Sequence, residues 1–365
     1  MKRLGIFKDA RVLVTGHTGF KGSWLSLWLR QLGAQVFGVS LGIPTTPSHA
    51  IAASLVSCLH DYRLDIRNSS GLKSLVEEIK PDFVFHLAAQ ALVRRSYTDP
   101  LDTWQTNTIG TINVLEALRG LSNQCVAVLI TSDKCYDNVE WVWGYRETDS
   151  LGGPDPYSSS KGAAELAIRS YVKSFFPSDG LVRIGVGRAG NVIGGGDWAE
   201  DRIVPDCMRA WSRGKTVPIR NPIATRPWQY VLEPLSGYLT LALALKQDSV
   251  LHGHPFNFGP PAQQNHSVAE LVIEMSKHWD QVRWEDVSSQ YGGPYESSLL
   301  KLNCDKALHY IHWHTVWGFD ATVRETALWY RQYYENPAQS IADYSLAQIA
   351  AYVNTAQEQG LVWAQ

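Results

Sequence analysis

The sequence contains little cysteine and no long apolar run, and both facts exclude classes of protein. Its five cysteines are an odd number without a Cys-x-x-Cys pair, which argues against a disulfide framework and favours a reducing compartment. The longest apolar candidate, Tyr238 to Leu245, is far shorter than the ~20 residues that cross a bilayer. The N-terminus MKRLGIFKDARVLVTG lacks the apolar region of a signal peptide. We therefore expect a soluble, cytoplasmic protein with no membrane partner.

An excess of charge of one sign is also absent. The 33 lysines and arginines nearly balance the 35 aspartates and glutamates, which gives a formal net charge of -2 over 365 residues. This balance provides no general attraction to nucleic acid or to an anionic membrane. An anionic ligand must therefore be held by a local group of basic side chains.

Clusters with the spacing of a metal site are lacking as well. Histidines gather at His252 and His254 and again at His309, His312 and His314. Neither group follows the His-Glu-x-x-His pattern, and no cysteine or carboxylate completes a ligand set. We interpret these histidines as surface or packing residues and expect no metal.

The first half of the chain, by contrast, alternates short apolar runs with amphipathic segments. The apolar runs predict strands, and the segments between them predict helices. The predicted strands are 11–15, 36–40, 82–87, 125–131 and 181–188, and the predicted helices are 19–32, 69–79, 103–118 and 158–176. Strands that alternate with helices indicate an α/β fold, a Rossmann-type doubly wound parallel sheet.

The alternation ends near residue 190, where glycines, prolines and tryptophans separate shorter elements. Helices are predicted at 203–213 and 231–245. We assign 1–190 to a dinucleotide-binding domain, to which 223–250 returns. The ranges 191–222 and 251–365 are assigned to a smaller mixed α/β domain for the substrate. Most of the 14 tryptophans are expected to pack in cores or interfaces.

Three glycines join the first predicted strand to the first helix with the spacing GxxGxxG. Gly16 suits a tight turn, Gly19 lets the backbone approach a pyrophosphate, and Gly22 permits close packing of helix on sheet. Their position after the first strand favours a dinucleotide site over an ordinary glycine-rich turn.

The ribose-binding acid of the usual dinucleotide fingerprint is missing. The segment from Val39 to Pro44 contains no Asp or Glu, so Ser40 could supply only a weaker hydrogen bond. No arginine stands in this segment to hold a 2′-phosphate, which favours NAD over NADP. Asp65 and Ile66 could flank the adenine, although a simple turn is the alternative.

Tyr157 and Lys161 lie four residues apart at the start of a predicted helix and so share one face. A lysine ammonium group near a phenol stabilises the phenolate and lowers the tyrosine pKa. Such a phenolate can deprotonate a sugar hydroxyl group. The pattern alone is common on solvated helix surfaces, but together with the glycine loop it is specific.

With these motifs the chain resembles the extended short-chain dehydrogenase/reductase family of nucleotide-sugar enzymes. The matching motifs occur in family order and span most of residues 11–230. They are TGHTGFKG (15–22), DIR (65–67), HLAAQ (86–90), TNTIGT (106–111), TSDKCYD (131–137), YSSSK (157–161) and RAGNVIGGGDW (188–198), followed by the weaker RPWQYV (226–231) and FNFG (256–259).

The resemblance implies an NAD cofactor and a site for it along the first domain. The residues that we predict to bind it are Gly16, His17, Thr18, Gly19, Phe20, Lys21, Gly22, Ser40, Asp65, Ile66, Leu87, Ala88, Ala89, Thr106, Tyr157 and Lys161.

Several segments, among them SLGIPTTPS (40–48), are most similar to the branch of 4,6-dehydratases that uses CDP-glucose. That resemblance implies oxidation of the sugar at C4, elimination of water across C5 and C6, and return of the hydride to C6. The implied product is a 4-keto-6-deoxy sugar nucleotide.

The segment 131–138, TSDKCYDN, follows a buried strand and places a hydroxyl, an acid and a base side by side. Elimination needs such a set, and the resemblance implies that Ser132 bonds the C4 oxygen while Asp133 is the acid for the C6 hydroxyl. Lys134 would be the C5 base, although many relatives have Glu there and a lysine must become neutral to act. A simple ion pair between Asp133 and Lys134 is the alternative. Thr131 and Cys135 are expected only to pack or to end the strand.

The resemblance also assigns Asn107 to ordering a proton-relay water near Lys161, whereas an amide on a helix surface is the alternative. The remaining basic and amide residues are candidates for the diphosphate and the nucleotide, with Trp228 as a pyrimidine support or a core residue. The predicted substrate-binding residues are Ser132, Asn191, Arg202, Arg220, Arg226 and Gln229. Arg94 and Arg95 could approach a ligand or form a surface charge pair.

Two other functions remain open at this point. A nucleotide-sugar epimerase would use Ser132, Tyr157 and Lys161 but leave Asp133 and Lys134 without a role. A non-catalytic nucleotide sensor would have no need for a phenolate. The family resemblance also implies a homodimer or homotetramer, with dimer contacts through helices near 103–118 and 158–175.

Overall fold

The computed structural model of the protein describes residues 3–280, 282–290 and 299–365. The strands in these residues are short, and most strands of the central sheet follow the apolar runs. The strands are β1 (Arg11–Thr15), β2 (Gln35–Ser40), β3 (His60–Arg63), β4 (Phe83–His86), β5 (Cys125–Ile130), β6 (Val182–Ala189), β7 (Val192–Ile193), β8 (Val217–Ile219), β9 (Thr225–Arg226), β10 (Gln229–Tyr230), β11 (Pro255–Phe258), β12 (His266–Ser267) and β13 (Trp284–Asp286).

A seven-stranded parallel sheet, in the order β11-β6-β5-β4-β1-β2-β3, confirms the predicted Rossmann-type fold. The chain adds strands in one direction from β1 to β3 and in the opposite direction from β4 onward. Ligands of such sheets bind at the carboxyl ends of the strands where the order reverses. The loops after β1, β4, β5 and β6, which hold the predicted site residues, meet at this edge.

Each predicted helix is present, one of them with an interruption, whereas the other helices, including the two long ones near the C-terminus, were not predicted. The helices are α1 (Phe20–Gln31), α2 (His49–Ala52), α3 (Ser69–Ile79), α4 (Val93–Thr98), α5 (Pro100–Trp104), α6 (Gly110–Arg119), α7 (Pro156–Phe175), α8 (Ile203–Trp211), α9 (Leu232–Gln247), α10 (Val268–Ser276), α11 (Asp305–Ile311), α12 (Phe319–Glu335) and α13 (Ile341–Glu358). The predicted helix 103–118 contains a π-helical turn at Gln105–Ile109, which joins α5 to α6.

The two faces of the sheet are covered by different helices because successive strand residues point to opposite sides. Leu13 packs in a core with α3, α6 and α7, whereas Val12 and Val14 pack in a core with α1 and α9. Strands β4 and β5 are buried along their whole length, which explains why they are continuous apolar runs rather than alternating ones.

The second region is less separate than we predicted. Strand β11 lies within 251–365, the range assigned to the substrate domain, yet it pairs with β6 and completes the central sheet. The domain assignment is therefore wrong at 255–258. Strand β3 was not predicted, because His60–Arg63 is a polar edge strand without an apolar run. Helix α9 packs on β5 and β6, in line with the predicted return to the first domain.

The C-terminal helix also packs on the first domain, where α13 contacts α1. The ring of Tyr352 packs against Trp28 and Trp363, and all three are buried. Within the described residues, no helix is both long enough and apolar enough to cross a membrane.

Candidate active site

The glycines of the loop between β1 and α1 are required by close contacts. Gly16 has a φ of 76°, and a Cβ there would lie 2.7 Å from the backbone nitrogen of Ala88. A Cβ on Gly22 would overlap the carbonyl oxygen of Gly16. Gly19 precedes α1, and no side chain of the described residues caps that helix. Its first N–H groups are therefore available to an anion, so the loop fits a dinucleotide pyrophosphate.

Ser40, at the end of β2, braces this loop instead of standing free. Its Oγ lies 2.9 Å from His17 Nδ1, and His17 Nε2 lies 2.9 Å from Asp61 Oδ1. Burial lowers the pKa of His17. Arg63 on β3 lies beside Ser40 on β2, but the Arg63 guanidinium group pairs with Asp61 at 2.8 Å. The predicted ribose contact of Ser40 is thus corrected, because its hydroxyl is buried and bonded to His17.

The other residues predicted to bind the cofactor differ in which of their groups can contact a ligand. Residues 87–89 are half-buried after β4 and lie beside the glycine loop. The side chain of Ile66 is buried against α6, so only its backbone can contact a ligand. Hydrogen bonds from Arg67 lower the pKa of Asp65 and engage its carboxylate. Thr106 lies in the π-helical turn.

The turn after β5 brings Ser132, Asp133 and Lys134 together, as predicted. Ser132 Oγ and the backbone N–H of Lys134 each donate to Asp133 Oδ1 at 2.9 Å. Asn191 Nδ2 donates to Asp133 Oδ2 at 3.4 Å. Gly190 leaves the space for this carboxylate, because a Cβ there would overlap it. The loop after β6 is thereby fitted to the loop after β5.

The alternative of a simple ion pair does not describe Asp133 and Lys134. In the described ranges their side chains form no salt bridge, and the contact between them uses the backbone of Lys134. Both residues, with Asn191, Arg226 and Leu300, line a small cavity of about 20 Å³. An acid, a primary amine and a guanidinium group therefore converge on one space.

Tyr157 and Lys161 occupy the first turns of α7, which Asp155 caps by accepting from the backbone N–H of Ser158 at 2.9 Å. Burial raises the pKa of Tyr157 to about 12, while its hydrogen bond with Ser132 acts in the opposite direction. Burial lowers the pKa of Lys161 to about 8. The expected lowering of the Tyr157 pKa is thus wrong in direction, because desolvation of a buried phenolate outweighs the hydrogen bond.

Asn107 is an interior residue, which excludes the alternative of an amide on the helix surface. Its Oδ1 accepts from the backbone N–H of Gln90 at 2.9 Å. Its Nδ2 donates to the carbonyl oxygen of Gln90 at 3.0 Å and to Ser160 Oγ at 2.9 Å. Asn107 therefore ties the π-helical turn to α7 at Ser160, the residue next to Lys161.

Lys21 reaches from the first turn of α1 toward the catalytic groups, which the sequence did not indicate. Burial lowers the pKa of Lys21 to about 8, and the positive charges of Lys161 and Arg202 lower it as well. The negative charge of Asp133 acts in the opposite direction. Its Nζ donates to the hydroxyl of Tyr238 at 3.5 Å. The glycine loop and the candidate catalytic residues thus share one electrostatic environment.

The predicted arginines divide into two groups. Arg202 pairs with Asp197 at 2.8 Å and interacts electrostatically with Tyr157. Arg226 lines the cavity beside Lys134. Arg220 instead pairs with Asp201 at 3.3 Å, in a cluster that Arg94 joins at 3.0 Å. Of the predicted arginines, Arg202 and Arg226 are therefore the ones placed next to the candidate catalytic residues.

Gln229 and Trp228 do not have the exposure that contact with a nucleotide needs. Gln229 is 1% exposed, and its Nε2 donates to the carbonyl oxygens of Gly190 and Phe258. Trp228 belongs to the hydrophobic core. The predicted substrate contact of Gln229 is corrected, because pairing of β10 with β7 turns this side chain into the interior. Its amide holds the loop that carries Asn191.

All five cysteines are free thiols, and no group of three or more potential metal ligands occurs in the described residues. Among the clustered histidines, His252 bonds the backbone N–H of Ile184 and the carbonyl oxygen of Phe176. This histidine has a structural role.

Comparison with known proteins places the chain among nucleotide-sugar enzymes. The family model described as GDP-mannose 4,6 dehydratase matches residues 13–326. CDP-glucose 4,6-dehydratase of Salmonella typhimurium is 46% identical over 330 residues, which cover 89% of this chain and 91% of that protein. CDP-paratose 2-epimerase of Salmonella typhi is 27% identical and covers 72% of this chain and 82% of its own length.

Solved structures agree on the fold. The epimerase Mth375 of Methanothermobacter thermautotrophicus superposes with a TM-score of 0.76, at 21% identity, over 92% of this chain and 96% of that one. At this identity the likeness speaks for the architecture alone.

Proposed function

Because the chain belongs to the GDP-mannose 4,6-dehydratase family of nucleotide-sugar enzymes, we propose that it is a hydro-lyase that converts CDP-glucose to CDP-4-dehydro-6-deoxyglucose. The observation that carries the proposal is the turn at Ser132, Asp133 and Lys134, which meets the Tyr157–Lys161 helix at the switch point of the sheet. The relative that is 46% identical over most of both chains supports CDP-glucose as the substrate.

NAD is the cofactor that the first domain fits. The glycine loop and the uncapped start of α1 suit its pyrophosphate, and the pairing of Arg63 with Asp61 leaves no arginine dedicated to a 2′-phosphate in this part of the described chain. Bound NAD would supply the hydride-transfer chemistry of the reaction, oxidation at C4 of the sugar and reduction at C6. Gly16, Gly19, Gly22 and Lys21 are the residues of this loop that would hold it.

Tyr157 is the base for the C4 hydroxyl group. Because burial raises its pKa to about 12, the phenol needs help to lose its proton, and Ser132 and Arg202 both favour the phenolate. Lys161 lies one turn further along the same helix face. Asn107 fixes this helix through Ser160, and we propose that it orders the water through which the proton leaves.

Asp133 and Lys134 carry out the elimination. Lys134 takes the proton from C5, which the C4 ketone has made acidic, and Asp133 gives a proton to the C6 hydroxyl, which departs as water. The hydrogen bond from the Lys134 backbone N–H to Asp133 Oδ1 sets the two groups side by side. An acid and a base on one short turn can act on adjacent carbons.

The nucleotide diphosphate is bound by Arg202, Arg226 and Asn191. Asn191 and Arg226 line the same space as Asp133 and Lys134, and Arg202 lies within electrostatic reach of Tyr157 and Lys21. Guanidinium groups bind phosphate oxygens through two parallel hydrogen bonds, which suits a diphosphate on a chain of near-neutral charge. Arg220, the remaining arginine predicted to bind the substrate, pairs with Asp201 instead.

A homodimer in the cytoplasm is the assembly and location that we propose. The exposed apolar side chains Leu101, Trp104, Ile109 and Leu166 lie on α5, the π-helical turn and α7. These are the helices that the family resemblance assigns to the dimer. Apolar surface of this kind is typical of an interface between copies. A homotetramer would need a second contact.

The experiment that tests the function is turnover of CDP-, dTDP-, GDP- and UDP-glucose, each with and without added NAD. We expect a 4-keto-6-deoxy product, detected by its colour in alkali, from CDP-glucose. A nucleotide-sugar 4-epimerase would instead interconvert glucose and galactose without loss of water. No turnover of any of the four would disprove the dehydratase assignment.

A further inference from the structure

The two ends of the catalytic turn are held by one buried ion pair. Thr131, just before Ser132, donates through Oγ1 to Glu165 Oε1 at 2.5 Å. Tyr136, just after the turn, accepts at its hydroxyl from Arg188 Nη1 at 2.7 Å. The expectation that Thr131 merely ends the strand is therefore incomplete.

Glu165 and Arg188 bind each other in the two-bond geometry of an ideal guanidinium–carboxylate pair. Arg188 Nε lies 2.8 Å from Glu165 Oε1, and Nη2 lies 2.9 Å from Oε2. The side chains are 4% and 2% exposed for Glu165 and Arg188. Arg188 also lies 4.9 Å from the ring centre of Tyr136. The two hydrogen bonds thus fix the orientation of each side chain, and the opposite charge of its partner compensates its own charge.

The pair joins the elements that carry the catalytic residues. Glu165 follows Lys161 by one turn and Tyr157 by two turns on the same face of α7. Arg188 lies on β6, two residues before Gly190, whose small size leaves room for the Asp133 carboxylate. The turn, the helix and the β6 loop are therefore tied together at one point.

Stability alone is a weak reason for such a pair. Removing two charges from water is costly, and apolar residues of similar volume in place of a buried ion pair are often neutral or stabilising. A pair that fixes the orientation of several functional elements has a different reason to be present.

We propose that Glu165 and Arg188 are positioning residues of the reaction, which hold the acid–base turn in register with the Tyr157–Lys161 helix. The proposal rests on the dehydratase function above. Neither residue touches the substrate space; they act through Thr131 and Tyr136 on the turn and through α7 on the tyrosine and lysine.

A pH readout separates positioning from simple support of the fold. Lys161 is faced by Cys135 and Glu165, which favour its charged form, and by Lys21 and His86, for which Lys161 is an electrostatic neighbour. Glu165→Gln removes a negative charge, so the pKa of Lys161 falls further. The alkaline limb of the kcat profile, where the ammonium group is lost, then moves to lower pH.

The primary experiment measures kcat, KM and the pH profile of Glu165→Gln in the full-length holoenzyme. We expect kcat to fall about 10- to 100-fold, the scale of a small misplacement of catalytic groups, with KM little changed. The matched control is Glu233→Gln, which alters a buried carboxylate that packs against Val316, Trp317 and Tyr352 instead. This control should keep the wild-type kcat and pH profile.

A double variant, Glu165→Gln with Arg188→Met, keeps the proposal testable if the single variant does not fold. It leaves no unpaired buried charge, so it should recover stability. Positioning predicts that kcat and the alkaline limb stay altered despite that recovery. Return of wild-type kcat and pH profile in the stable double variant would overturn the proposal.

Failure of the function and failure of this proposal can be told apart. If the wild-type protein turns over no nucleotide glucose, the function is wrong, and the ultraviolet absorbance of tyrosinate then becomes the readout. The Tyr157 titration, obtained by subtracting the Tyr157→Phe counterpart, should shift in the double variant. An unchanged titration, or unchanged kinetics in an active wild-type background, rejects positioning by the pair.

Discussion

Two buried glutamates in different parts of the molecule have opposite surroundings. Glu165, behind the catalytic turn, is paired with the guanidinium group of Arg188. Glu233, on α9, accepts from the backbone N–H groups of Val316 and Trp317 and from the hydroxyl of Tyr352, all neutral donors. Burial raises the pKa of Glu233 to about 7. Pairing with a cation fixes the orientation of a buried carboxylate. A buried carboxylate with only neutral donors, such as Glu233, instead takes up a proton near neutral pH.

The largest expected effect separates the two regions by activity. Tyr157→Phe removes the hydroxyl that we propose deprotonates the sugar, and we expect turnover to fall by about 10²- to 10⁴-fold, the range for a lost general base. The control is Tyr352→Phe, which removes a buried hydroxyl from the other region. Comparable loss of turnover in both variants would contradict the assignment of Tyr157.

Lys134→Met tests whether the turn performs elimination rather than oxidation. The variant should lose formation of the 4-keto-6-deoxy product by a factor within about 10² to 10⁴, as expected when a positioned base is removed. Reduced nicotinamide absorbance should still form with CDP-glucose, because Tyr157 and Lys161 are intact. Lys246→Met, at an exposed position on α9, is the control. Wild-type product formation by Lys134→Met would reassign the C5 base.

Glu233 should make stability depend on pH in a defined direction. Its pKa rises from 4.5 to about 7 on folding, so the stabilisation is complete below 4.5 and is lost as the pH rises through 7. Relative to the wild type, Glu233→Gln should gain roughly 3 kcal/mol in unfolding free energy between these limits. Urea denaturation at a series of pH values measures the difference. A difference that does not vary with pH would show that folding leaves the pKa of Glu233 unchanged.

The smallest expected effects on stability come from two buried tyrosines, Tyr136 beside the Glu165–Arg188 pair and Tyr352 beside Glu233. Tyr136→Phe and Tyr352→Phe should each lower the free energy of unfolding by about 1 kcal/mol, the usual net value of one hydrogen bond. Only Tyr136→Phe should also lower kcat, because Tyr136 connects Arg188 to the catalytic turn. Equal kcat in the two variants would weaken the distinction between the regions.

Local patterns were the reliable part of the sequence. The glycine loop, the Tyr157–Lys161 spacing and the Ser132–Lys134 turn each lie within a few residues, and the backbone alone brings their members together. The apolar runs identified the central strands for the same reason, since a strand buried on both faces must be apolar throughout. Strands β3 and β11, at the two edges of the central sheet, are not continuous apolar runs and were not predicted as strands.

Contacts between distant segments were not accessible in the same way. Ser40 and Gln229 were predicted to face ligands, but partners on neighbouring strands and loops turn their polar groups inward. Glu165 meets Thr131 and Arg188 only because β5, α7 and β6 pack side by side. The proximity of Lys21 to the catalytic groups likewise depends on how α1 meets that edge of the sheet.

The amino-acid sequence by itself determined the dinucleotide fold and the family and supplied the candidate catalytic residues, because these depend on spacing along the chain. The tertiary structure decided which polar groups face the reaction and which brace it, and in which direction burial moves the pKa of Tyr157. The physical reason is that desolvation and ion pairing depend on neighbours in space. For this site, those neighbours come from strands and helices that are far apart in the sequence.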